Sequence, residues 1–302
     1  MQVSTSRFYE TSGTLMQQLS QQADTLNTQI ATTKKFAAPS DDVVAYQRLT
    51  TIKQANADAT SFGANITLAQ SLLDQSDTTL GSVETQLQRA SELAISANSG
   101  TLNDGDRQAI ATELQSILTS VVALANTRDA RGQPLFAAAT GAGAVTQATD
   151  GSVTFDGSGN PASIPVADGI TIQPTESAAR VFGGVPTASG GTTDVFAALN
   201  GLIGALQSND TSAVSAAGDG VQAALAQVGA MRGSFGARAT RLDLQQTQAT
   251  NAATARETTR SALEDTDVTT AITQLQKTMT VLQATQASFT KLSSLSLFDF
   301  LK

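Results

Sequence analysis

The sequence predicts a mainly α chain: a long antiparallel helical bundle or coiled-coil shaft formed by both chain ends, with a small β-rich domain inserted in mid-chain. Three observations predict it. Apolar residues between Ile52 and Ala97 recur at spacings of three and four. Residues 138–191 hold 10 of the 23 Gly and 4 of the 6 Pro, and such breakers exclude long helices there. Helical patterns flank that stretch on both sides, so it interrupts a helical body rather than following one.

The strongest element is the first of these. Counting by sevens from Ile52 gives Ile52, Ala59, Ile66, Leu73, Leu80, Leu87 and Ala94. Counting from Ala55 gives Ala55, Phe62, Ala69, Ser76, Val83, Ala90 and Ala97, with Ser76 as the one polar entry in the two series. This is a seam of coiled-coil type. At 1.5 Å per residue it makes one helix roughly 70 Å long, which needs a partner running beside it. Ile110, Leu114, Ile117, Val121 and Leu124 supply a second seam, set off by the polar loop Asn98–Asp106, so the two helices are expected to be antiparallel neighbours. After the insertion, Phe196, Leu199, Ile203 and Leu206 begin another helix. Val221, Leu225, Val228, Phe235, Ala239, Leu242, Ala249, Ala253 and Leu263 mark a long one, interrupted by Arg232, Gln246, Arg256 and Arg260.

Within the insertion, four runs read as strands: Ser152–Phe155, Ser163–Val166, Ile170–Ile172 and Ala179–Phe182.

The chain ends resemble each other. Phe8 to Thr33 carries two charges, Glu10 and Asp24, and Leu15, Leu19, Ala23, Leu26 and Ile30 form a helical stripe. Val268, Leu275, Leu282 and Phe289 recur every seven residues, with Ile272 and Met279 offset, and Lys277 and Lys291 are the charges in that helix. Leu292, Phe298 and Phe300 extend the same set. A stripe on a helix this poor in charge is expected to face protein. Burying a large apolar side chain is worth ~2 kcal/mol. Fixing one residue of backbone costs on the order of 1–2 kcal/mol. One stripe cannot hold a helix of thirty residues alone, so these ends are expected to be disordered in the free monomer and to order on assembly. The expected organisation is 1–40 and 266–302 as terminal assembly helices, 41–137 and 192–265 as a helical shaft, and 138–191 as an inserted outer domain.

Pro39-Ser40-Asp41-Asp42 precedes the first long helix, with Ser40 as its expected N-cap and the two Asp favouring the helix dipole. Asn103-Asp104-Gly105-Asp106 reads as a turn and cap; no Glu falls where a calcium loop would need one. Asn65 and Asn209 open formal glycosylation sequons, but Asn65 lies inside the long helix.

Composition restricts the chemistry. With 0 Cys and 0 His, the chain has no disulfide framework, thiol nucleophile, Cys/His zinc site or Ser-His-Asp triad. No cofactor and no enzymatic activity are expected. A polysaccharide-cleaving site would need paired carboxylates, for which the insertion offers only Asp150, Asp156, Asp168 and Glu176. The net charge is −8, with a pI near 4.5, and no basic stripe points to nucleic acid. No run of eighteen apolar residues exists, so no membrane insertion is expected. The first residues lack the pattern of a cleaved signal peptide.

Several segments carry a family resemblance. The Ser-Thr pair near the start, Thr33-Lys-Lys-Phe36, Pro39-Ser-Asp-Asp42, and Asn98-Ser-Gly-Thr-Leu102 followed by Asp106-Arg-Gln-Ala-Ile110 resemble the flagellins and their hook-associated relatives. Leu124-Ala-Asn-Thr-Arg-Asp129 with Pro134-Leu-Phe136 is similar to the hook–filament junction branch of that family. So are Glu264-Asp-Thr-Asp267, Leu282-Gln-Ala-Thr-Gln-Ala-Ser-Phe289 and Ser296-Leu-Phe-Asp-Phe300. Thr33 stands where the family commonly has Gly, and Val43 where Pro is common. The resemblance implies chain ends that pair as helices lining an inner tube, a shaft domain forming its wall, and an outer domain inserted in mid-chain. It also implies a structural adaptor, exported unfolded without a cleaved signal and placed outside the cell on the bacterial flagellum. Its partners would be other copies of itself, the first hook–filament junction protein, flagellin, an export chaperone and the flagellar type III export apparatus. A filament subunit of the same family is the alternative.

Overall fold

The computed structural model describes residues 2–99 and 102–299, with side chains over 7–99 and 102–291. Its helices are α1 (Gln2–Thr32), α2 (Val43–Ala97), α3 (Asp104–Ala125), α4 (Ala178–Phe182), α5 (Val195–Gln207), α6 (Thr211–Glu264) and α7 (Val268–Asp299). The strands are β1 (Val145–Gln147), β2 (Val153–Phe155), β3 (Ile164–Ala167), β4 (Ile170–Ile172), β5 (Val185–Pro186) and β6 (Thr192–Thr193). The fold is the mainly helical one expected, with a small β region in mid-chain. It divides into two compact units, Met1–Asp58 with Asn251–Lys302, and Ala59–Thr250.

The second unit holds the main core. From Ile66 to Ala97 every member of the two interleaved heptad series is buried, Ser76 included. The Ser76 hydroxyl donates to the Leu72 carbonyl 2.7 Å away, which lets a polar residue sit inside an apolar seam without an unpaired group. Val214, Val221, Val228, Phe235 and Leu242 of α6 are buried at intervals of seven. The polar bonds between α2 and α6 fix their direction. Gln222 donates to Ser91, Arg232 binds Asp77 and Glu84, and Gln70 binds Asp243. Rising numbers on α2 meet falling numbers on α6, so the two helices are antiparallel. Arg232, which breaks the α6 seam, therefore has partners: its guanidinium bridges two carboxylates about two turns apart on α2. Gly81 lies between them, and a Cβ there would sit 3.7 Å from the guanidinium.

α3 starts with a capping box: the Asn103 side chain accepts from Asp106 N at 2.9 Å, and Asp106 Oδ2 accepts from Asn103 N at 3.2 Å. Arg107 then donates to the Ala97 carbonyl at the end of α2, and Arg89 of α2 binds Glu113 of α3, so these helices are also antiparallel. By length and composition α3 is the one described helix apolar enough to span a bilayer. Here its face of Ala111, Leu114, Ile117, Leu118 and Val121 is buried in the core, and it packs on α5.

The β region consists of three antiparallel pairs, β1–β2, β3–β4 and β5–β6, each in its own two-stranded sheet. The run Ala179–Phe182 is not a strand. It lies in α4, because Ala178, Val181 and Phe182 are spaced i, i+3, i+4 and all three are buried together. Phe182 packs edge-on against Phe136 at 5.6 Å and tilted against Phe196 at 5.4 Å, joining the β region to α5. Glu176, just before α4, is buried and receives Arg238 of α6, with Arg180 at 3.6 Å and the Gln173 amide at 3.2 Å. Gly157 (φ +76°) is required by space as well as by φ: a Cβ there would overlap the Thr140 carbonyl oxygen at 1.4 Å.

In the first unit, the cap of α2 differs from the expected one. Asp42, not Ser40, accepts from Ala45 N at 2.9 Å. Asp41 is turned the other way and accepts from Ala37 N and Ala38 N, both at 2.9 Å. With Val43 as the first helical residue, Asp42 is at the position whose side chain reaches the free N–H groups of the first turn.

Candidate assembly surface at the chain ends

The low-charge stripes put α1 and α7 side by side. Near the start of α1 and the end of α7, Tyr9 and Phe289 meet edge to face with centroids 5.4 Å apart. At the other end, Thr266 N donates to the Thr33 carbonyl at 2.9 Å and Lys35 N to the Glu264 carbonyl at 2.7 Å. The helices are antiparallel, and the residues most deeply buried in them are small: Ala23, Ala271 and Thr278. Small residues allow close approach, and they leave the larger side chains at the margins.

That is where the expected interface residues lie. Leu19, Leu26 and Ile30 of α1, and Val268, Leu275, Leu282 and Phe289 of α7, are half-buried. Leu15 remains 44% exposed and Met279 40%. The placements of Leu292, Phe298 and Phe300 lie outside the described residues. Ile272, an offset member of the α7 stripe, is 41% exposed, and two further exposed neighbours, Phe8 and Val281, were not in the expected set. Their signal was present in the sequence, because a charge-poor helix that is apolar on more than one side has more than one face to cover.

Charge is concentrated at one end of the pair. Lys34 Nζ lies 2.5 Å from Glu264 Oε1. Arg260 reaches Glu257 at 2.8 Å, Glu264 at 2.9 Å and Asp265 at 3.0 Å. The Lys35 ammonium donates to the Ala262 carbonyl at 2.7 Å. The Lys34 ammonium, and then Arg260, hold the Glu264 carboxyl below its ordinary range. The Ser261 hydroxyl and then Arg260 do the same for Asp265, and Arg260 does it for Glu257. These contacts join the segment after α1 to the turn between α6 and α7. Thr33 takes φ +58° here, a conformation that suits Gly better than a β-branched residue.

Of the insertion's carboxylates, Asp150 is engaged by Ser152, Asp156 by Thr146 and Glu176 by Arg238 of α6. Asn65 donates its side-chain amide to the Pro165 carbonyl.

Paired terminal helices, a helical body and a mid-chain β insertion define a subunit of the flagellin type. Residues 3–140 match the family model of the bacterial flagellin N-terminal helical region, and residues 219–301 that of the C-terminal helical region. The chain belongs to the flagellin family. Among its relatives, flagellar hook-associated protein 3 of Salmonella typhimurium is 29% identical over 215 residues, covering 68% of this chain and 67% of the relative. Hook-associated protein 3 of Escherichia coli is 34% identical over 109 residues, which is 36% of this chain and 34% of that protein. Two solved structures share the fold. One is hook-associated protein 3 of Legionella pneumophila, with a TM-score of 0.66, 15% identity, and coverage of 71% of this chain and 98% of that one. The other is FlgL of Xanthomonas campestris, with a TM-score of 0.62, 19% identity, and coverage of 70% and 99%.

Proposed function

We propose that this chain is a structural adaptor of the bacterial flagellum, joining the hook, through the first junction protein, to the flagellin filament. The observation that carries the reading is the set of large apolar side chains left exposed on the α1–α7 pair, Leu15 and Met279 among them. A monomer gains nothing from exposing it, whereas a ring or tube of copies covers it. Similarity to proteins named hook-associated protein 3 favours the junction role over the filament subunit.

In this reading residues 1–40 and 266–302 are disordered in the free monomer. They take the paired helical form when sister copies surround them, and Leu292, Phe298 and Phe300 join the buried set. Residues 41–137 and 192–265 form the shaft, and 138–191 the outer domain. The chain acts as a structural part, not as an enzyme. It travels through the flagellar type III export apparatus with an export chaperone and ends outside the cell.

Deletion of the gene tests the reading. The expected strain keeps hooks, lacks filaments and spills flagellin into the medium; a strain with normal filaments contradicts it. Purified protein that grows long filaments unaided would favour the filament subunit instead.

A further inference from the structure

We infer that a groove in the second unit, walled by α3, the β1–β2 hairpin and α5, binds a neutral carbohydrate. The groove encloses about 540 Å³, inside the range of small-ligand sites. Each wall contributes one glutamine: Gln115 from α3, Gln147 from β1 and Gln207 from α5. All three are exposed and none has a side-chain hydrogen bond within the protein, whereas Thr119, Asp150, Ser152 and Asn200 beside them are already engaged. Asp150 accepts from Ser152 N at 3.0 Å and from the Ser152 hydroxyl at 2.6 Å. Asn200 donates to the Gly151 carbonyl at 2.9 Å, tying the hairpin to α5. The hairpin turn and α5 are thus held in place, and the three free amides stand on a fixed frame.

The chemistry of the walls selects the ligand. No Lys or Arg lines the groove, so a phosphate or other anion would find no counter-charge. Asp150, held below the ordinary carboxylate range by Ser152, stays ionised and repels anions further. Leu118 and Ile203 also line the groove, both almost fully buried, and the rest of the lining is amide, hydroxyl, glycine and the one carboxylate. A sugar ring presents this combination in reverse: C–H faces that lie on apolar side chains, and hydroxyls that donate and accept at once. A primary amide is the neutral side chain that answers both functions from one group. Gly204 has open space where a Cβ would sit, which leaves room for a ring to approach the backbone. All of its lining residues belong to the second unit, and the site does not depend on the proposed junction role.

The test is titration of the full-length protein with neutral saccharides: glucose, galactose, mannose, N-acetylglucosamine and their disaccharides. It is followed by saturation-transfer NMR and by the side-chain amide signals of the three glutamines, with an uncharged capped peptide as the competing probe. The expected result is saturable binding of at least one saccharide at millimolar concentration or tighter, with shifts at Gln115, Gln147 and Gln207. Gln147→Ala with Gln207→Ala should weaken that binding by at least about tenfold while leaving thermal unfolding unchanged. If that double variant unfolds, Gln207→Leu alone serves the same comparison. No saccharide bound, binding undiminished in a folded variant, or binding of the peptide in place of the sugars would each overturn the inference.

Discussion

Lys34 and Glu264 stand 230 residues apart in sequence and 2.5 Å apart in the fold. The contact joins the connector after α1 to the last residue of α6, and Arg260 and Asp265 complete the cluster. Its carboxylates have folded-state affinities for protons below those of the unfolded chain. Their contribution to stability is therefore fully present above the ordinary carboxylate pKa, about 4, and is lost as pH falls through the lower folded values. Acid should loosen the α1–α7 end of the first unit. In assembled protein, amide exchange at Lys35 and Thr266 should accelerate below about pH 4, and Glu264→Gln should flatten that acid response. Because Lys34 is half exposed, the same variant should cost only about 1 kcal/mol at neutral pH.

The buried Glu176–Arg238 pair should behave differently from surface pairs. Arg238→Ala leaves a buried carboxylate with Arg180 as its remaining cation, 3.6 Å away, and should cost about 3 kcal/mol. Arg89→Ala removes two exposed pairs, which solvent screens, and should leave stability almost unchanged. Urea denaturation of the full chain measures both; equal costs would contradict the burial argument.

Thr33→Gly should stabilise the first unit. A threonine at φ +58° carries strain of roughly 1–2 kcal/mol, part of which is offset by the freedom that glycine gains when unfolded. The net gain should be about 0.5–1 kcal/mol, read as a rise in the unfolding midpoint of assembled protein.

Core and end residues should separate cleanly. Leu80 is fully buried in α2, so Leu80→Ala should cost about 3 kcal/mol in the monomer. Leu15→Ala and Met279→Ala remove side chains that are two-fifths exposed and should leave monomer stability within about 0.5 kcal/mol. They should still weaken assembly, measured by sedimentation of the polymerised protein.

These contrasts reflect what the sequence could and could not convey. The α2 seam was legible because burial on one face of a helix imposes a period, and Ile66 to Ala97 obeys it. The Asn103–Asp106 cap was legible because its bonds are local. Ala179–Phe182 reads as a strand because four residues are too few to distinguish helical spacing from alternation, and it lies in α4 instead. The same shortness hid β5 and β6. Asp42 displaced Ser40 as a cap because one residue of helix boundary decides which side chain reaches the free N–H groups. The Lys34–Glu264 and Arg238–Glu176 pairs were invisible for a different reason: both depend on long-range placement, which no local pattern encodes. At the candidate surface, the stripes on α1 and α7 were readable, but not which members of each stripe the partner helix would cover.

The most direct measurement is amide exchange at Leu19 and Leu282, made once on the isolated chain and once on the assembled form. Rapid exchange in the single copy with strong protection after assembly is the expected result. Firm protection at both positions with no neighbour present would contradict the proposal that sister copies complete these helices.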